Sequence, residues 1–205
     1  MSSDRHRIVS LAILIALAVG TTGCISHPVT FQNASYATGA SHQPASVVAV
    51  IDQDTLTRKV RIKSWMTGIA NNWEAEPGDM LKQVADIELP QMFSVYEFSV
   101  RDRAPPGSGP GVVLALAIPS YDFADFHATI TVNATANGRD GKLLFEKAYR
   151  AEGATQGSKM FWAGAFGMKS AIRQSSLDAY KQIFAQMRGD LEHALSGSQL
   201  TARDR

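Results

Sequence analysis

Between residues 125 and 152 the chain alternates like a strand, turns, and alternates again, and no other stretch leaves so few folds open. Phe126, Ala128, Ile130, Val132 and Ala134 fall on one side, and His127, Thr129, Thr131, Asn133 and Thr135 on the other. That period of two belongs to a half-buried strand. Asn137-Gly138 and Asp140-Gly141 supply the positive φ angles of a tight hairpin turn. Residues 142–152 then return as a second strand, with Leu143, Phe145 and Tyr149 on one face. A hairpin this long needs further strands and a covering layer before it is stable.

Both are predicted nearby. Residues 46–51 and 112–118 are short β-branched and aliphatic runs that read as buried strands, and 92–100 reads as another. In 56–63, Val60 and Ile62 alternate with Lys59, Arg61 and Lys63, a strand whose cationic side either is solvated or meets lipid headgroups. Residues 74–89 predict a helix, with Pro77 and Asp79 in its first turn, an apolar stripe from Met80 to Ile87, and Pro90 ending or kinking it. A longer helix is predicted over 170–195, where Leu177, Tyr180, Phe184, Met187, Leu191 and Leu195 repeat at spacings of three and four. The expectation is an α+β fold: an antiparallel or mixed sheet of four to six strands, a shorter helix, and a long C-terminal amphipathic helix packed on one face. With 205 residues and 45% apolar content, one ordered domain over 46–197 is expected, followed by a polar tail at 198–205.

The first 23 residues stand apart. Arg5, His6 and Arg7 precede a twelve-residue run, 8–19, in which Ser10 is the only polar side chain. A bilayer span takes about 20 apolar residues, so the run fits an export signal better than a transmembrane helix. Gly20, Thr21, Thr22 and Gly23 follow, then Cys24, the only cysteine in the chain. This arrangement resembles a bacterial lipoprotein signal, departing from its usual pattern at Thr21. The resemblance implies cleavage before Cys24, acylation of its thiol, and membrane attachment through the acyl chains. Ile25, where an aspartate would often mark inner-membrane retention, favours the periplasmic face of the outer membrane. Cleavage leaves 182 residues with 18 basic and 18 acidic groups, a neutral domain with no electrostatic reason to bind nucleic acid. Residues 24–45, uncharged and rich in small polar side chains, read as a flexible lipidated tether, although Val29, Phe31 and Tyr36 could dock on the domain.

The tether, the hairpin ATITVNATANGRDGKLLFEKAYRAEG and the closing helix resemble small Gram-negative lipoproteins of the YajG type. More distantly they resemble α+β lipoproteins such as the LpoB activators and the amino-terminal domain of TolB. The likeness covers about residues 125–195, including Tyr149 to Gly153. It implies a non-enzymatic binding component of an envelope assembly, partnered by another envelope protein. Residues 104–111 and 158–169 depart from it as insertions.

The second insertion concentrates Met160, Phe161, Trp162, Phe166 and Met168 between Lys159 and Lys169. Its glycines disfavour regular structure. The segment is expected to be a loop, either a mobile apolar contact for membrane or partner, or one folded over the sheet edge. Residues 104–111, APPGSGPG, are expected to be a flexible loop. No nucleophile elbow or HExxH helix is present, so no catalytic residue, cofactor or metal is predicted. Asp122, Asp125 and His127 would need further ligands to hold a metal. The alternative function is a periplasmic small-ligand carrier or hydrolase.

Overall fold

The computed structural model of the protein describes residues 26–39, 42–62 and 72–203, the side chains of 157–166 and 197–203 excepted. Strands β1 (Ser26–Val29), β3 (Val60–Ile62) and β4 (Asn72–Ala75) form a small sheet in the order β1-β4-β3, parallel at β1-β4 and antiparallel at β3-β4. Strands β2 (Gln43–Val50), β5 (Phe93–Ser99), β6 (Gly111–Ala124), β7 (His127–Gly138) and β8 (Leu143–Glu152) form a larger one in the order β5-β2-β6-β7-β8. Its β5-β2 and β2-β6 pairs are parallel and its β6-β7 and β7-β8 pairs antiparallel, so the sheet is mixed. Among the described residues three helices, α1 (Gln53–Thr57), α2 (Pro77–Met92) and α3 (Gly157–Arg203), complete an α+β fold whose long C-terminal helix packs against the sheet.

The hairpin forms as its alternation requires. Ala128, Ile130, Val132, Ala134 and Ala136 are all buried, and Tyr149 and Ala151 continue that face on β8. Against it lie Ile172, Ala179, Tyr180, Ile183, Phe184, Met187, Leu191 and Leu195 of α3, a stripe at helical spacing with almost no exposure. Burying each large side chain of that stripe stabilises the fold by about 1.5–3 kcal/mol before entropy is charged. Pro90 lies inside α2 rather than ending it, and the helix runs on to Met92. Only the last turn loses a hydrogen bond there.

Parallel pairing dictates the loop between β5 and β6. Both strands flank β2 in the same direction, so residues 100–110 must return the full length of a strand, roughly 23 Å for seven residues. They cross the face opposite α3: Arg103 ion-pairs Glu97 of β5 at 3.1 Å, and Ala104 and Pro105 lie by Val113 of β6. The expectation of a flexible loop is corrected by Arg139, whose guanidinium donates to the carbonyls of Gly109 (2.8 Å), Pro105 (2.7 Å) and Pro106 (2.9 Å). Proline-rich backbone has few N–H groups to pair, and a guanidinium supplies donors in their place.

At α1, Asp52 caps the helix, accepting from the Thr55 N–H and hydroxyl, both at 2.8 Å. Those bonds, the backbone one foremost, hold its carboxyl below the ordinary range. A lowered folded value means that the stabilisation is complete above the unfolded value and disappears as pH falls through the folded one. Asp52→Ala is therefore expected to cost about 1 kcal/mol at neutral pH, with the deficit shrinking in acid. Urea midpoints of the two chains, compared at pH 7 and in acid, check this.

Candidate functional site

Within the tether expected over 24–45, residues 26–39 dock on the domain, the course that Val29, Phe31 and Tyr36 left open. β1 pairs with β4, Val29 and Phe31 are buried, and the segment crosses the two helices as a strap. Phe31 meets Tyr180 of α3 edge-on, with ring centroids 6.4 Å apart. A short polar sequence gives no periodic signal, because what holds it is supplied by residues far along the chain.

Three groups of side chains fasten the strap. Arg173 donates from Nε to the Thr30 carbonyl (2.6 Å) and from Nη1 to Gln32 (3.0 Å). Thr30 also hydrogen-bonds Asp79 of α2, and Gln83 donates to the Asp79 carboxylate at 2.7 Å. Further along, Lys181 sits 4.8 Å above the Tyr36 ring. Burial first, and then the Glu88 carboxylate, push the Tyr36 hydroxyl above its ordinary range. Arg188 bridges all three elements, pairing Glu88 of α2 at 2.8 Å and donating to the Gly39 carbonyl.

The order of these fastenings sets a direction. Residues 30–32, 36 and 39 of the strap meet residues 173, 181 and 188 of α3, so strap and helix run parallel. Followed back toward Ser26, the strap therefore leads to the N-terminal half of α3. On the opposite flank, α3 runs antiparallel to β8: Asp178 accepts from Ala154 N–H, Gln182 donates to the Glu152 carbonyl, and Asp190 accepts from the Tyr149 hydroxyl at 2.6 Å. The start of α3 and the β7-β8 turn thus lie at opposite ends of the domain.

The expected loop over 158–169 is helix. α3 begins at Gly157, and Met168, predicted as a partner or membrane contact, is 2% exposed in the core. Its contact role is corrected. Met160, Phe161, Trp162 and Phe166 lie in the first turns of α3, their side chains outside the described residues, as is Cys24. The signal that finds the helix is present in the sequence: Met168 and Ile172 are four apart, and Ile172 precedes Ala179 of the downstream stripe by seven. Packing of that stripe outweighs the roughly 1 kcal/mol that each interior glycine costs a helix.

Elsewhere the chemistry is sparse. Asp125 occupies the β6-β7 turn with φ 47°, and the His127 ring lies 3.4 Å from its carbonyl rather than from a carboxylate. Among the described residues no three His, Cys, Asp or Glu side chains gather as a metal-holding group. An open depression of about 340 Å³ is lined by Asp102, Arg103, Val113, Asn137 and Arg139. The Arg139 donors there are already directed at loop carbonyls. Among the described residues no helix is long and apolar enough to cross a membrane.

No protein-family model matches the chain, and no curated protein matches it. Among solved structures, it is similar to protein XCC0632 from Xanthomonas campestris, described under the label DUF330, at 12% identity and a TM-score of 0.47, covering 87% of this chain and 99% of that one. It is also similar to the hypothetical protein CT253 from Chlamydia trachomatis, at 8% identity and a TM-score of 0.36, covering 74% of this chain and 99% of that one. A third, an uncharacterized protein, is 13% identical with a TM-score of 0.34, covering 75% of this chain and 97% of the other.

Proposed function

We propose that the chain is a lipoprotein of the outer membrane's periplasmic face, cleaved before Cys24, acylated there, and acting as a non-enzymatic binding component of an envelope assembly. The observation that carries this reading is the sequence of the first 24 residues, an apolar run over 8–19 followed by Gly20 to Gly23 and Cys24. β1, which pairs with β4, begins two residues after Cys24, so acyl chains on that residue would be attached beside the small sheet. Two or three acyl chains on one residue give stable attachment, whereas one chain binds only marginally. The partner reading is supported by the likeness of the hairpin and closing helix to small envelope lipoproteins.

Replacing Cys24 with Ser is expected to move the protein almost entirely from the membrane to the soluble fraction. Retention in the membrane would count against acylation. In intact cells, crosslinking of the Cys24 protein followed by mass spectrometry is expected to recover an envelope protein. Recovery of a bound small molecule from the purified protein, with no protein partner, would point to a carrier instead.

A further inference from the structure

Acylation of Cys24 constrains more than location, because almost no free chain separates that residue from the fold. Two Cα steps of about 3.8 Å place Cys24 within about 8 Å of Ser26. Ser26 pairs with Asn72 at the outer end of the small sheet. The strap behind it is fixed at Thr30 and Gln32 by Arg173, at Tyr36 by Lys181 and at Gly39 by Arg188. The anchor therefore cannot swing to the far end of the domain without undocking these contacts.

Followed back toward Ser26, the strap also leads to the N-terminal half of α3, whose first sixteen residues precede Arg173. That is about 24 Å of helix at 1.5 Å per residue. Its first turns contain Met160, Phe161, Trp162 and Phe166, flanked in sequence by Lys159 and Lys169. On the helical step of about 100° per residue, positions 162 and 166 fall about 120° and 160° round the axis from position 168, position 160 about 80° and position 161 about 20°. Aromatic residues with flanking lysines are the composition of a helix that meets the interfacial layer of a bilayer.

We propose that the domain sits directly against the lipid surface, with the Ser26–Asn72 end of the small sheet and the first turns of α3 as its membrane-facing side. The β7-β8 turn and the loop 104–111 then point away from the bilayer, toward the periplasm and any partner. This orientation rests on the acylation of Cys24 proposed above, and the two can fail separately.

The test uses the full chain, purified in its acylated form from membranes. Cys24 is the only cysteine, and acylation consumes its thiol, so an introduced cysteine is the one free thiol available for a fluorescent label. Labels at Asn72→Cys and Thr155→Cys report the proposed membrane side, and those at Leu143→Cys and Ser108→Cys the distal side. Leu143 is 52% exposed, so labelling there leaves the core intact. In vesicles of phosphatidylethanolamine and phosphatidylglycerol containing acyl-brominated phosphatidylcholine, quenching is expected to be at least about twofold stronger at 72 and 155 than at 143 and 108, since interfacial groups lie about 5–10 Å from the acyl boundary. Equal quenching at both ends, or stronger quenching at 143 and 108, overturns the orientation while an intact mass carrying acyl chains upholds the anchor. An unacylated mass in the soluble fraction overturns the anchor itself.

Discussion

Arg188→Ala is expected to destabilise the domain by about 3–4 kcal/mol, the range seen when one member of a buried ion pair is removed. The pair is well buried: the side chains of Glu88 and Arg188 are 7% and 18% exposed, with 2.8 Å between nitrogen and oxygen. Truncation leaves the Glu88 carboxylate between two helices without its counter-ion. The strap loses its fastening at Gly39 as well. An exposed pair of the same geometry would contribute at most about 1 kcal/mol, so the size of the loss separates the two cases. Replacing both partners, Glu88→Leu with Arg188→Met, removes the stranded charge and is expected to recover more than half of the deficit. Urea denaturation of the Cys24→Ser chain and these variants measures both effects. A loss below about 1 kcal/mol for Arg188→Ala would show that water reaches Glu88 and that the strap holds without this bridge.

The same residues show where sequence reading stops. The hairpin was legible because a period of two and a glycine-bearing turn act between neighbours in the chain, and burial of Ala128, Ile130, Val132 and Ala134 follows directly. Most of α3 was legible for the matching reason at a period near 3.6. Its first turns were not, because glycine content was weighed above a stripe that reaches back to Met168. The strap carries no such local code. It is held by Arg173 and Arg188, which lie about 140 to 150 residues away in sequence, and by Asp79, Gln83 and Glu88 of another element. Parallel pairing of β2 with β5 and β6 was open for a similar reason: register between distant strands leaves little trace in either one. At the candidate site, Cys24 lies outside the described residues, and the processing motif read there remains the proposal made above; the strap's course is what the structure adds beside it.

Gly153→Ala is expected to cost about 3 kcal/mol, near the upper end for overpacking a core. Gly153 follows β8 where the chain passes close against Ser175 of α3. A methyl group there would stand 1.8 Å from the Ser175 carbonyl oxygen and 2.5 Å from its hydroxyl. The first of these is helix backbone and cannot rotate away. Moving it would disturb two linked bonds, since Gly153 N–H donates to the Ala128 carbonyl (2.9 Å) while Ala128 N–H donates to the Ser175 hydroxyl (2.8 Å). The sheet and the helix are thus clamped through one residue that must lack a side chain. The same substitution at Gly189 has the opposite expected sign. That glycine lies inside α3 with open space around its missing Cβ, so Ala should stabilise by about 0.5–1 kcal/mol through the lower entropy of the unfolded chain. Thermal or urea midpoints should therefore move in opposite directions for the two variants. Equal small shifts would mean that α3 is not held against β8 at this point, and with it the antiparallel alignment that places the start of α3 opposite the β7-β8 turn.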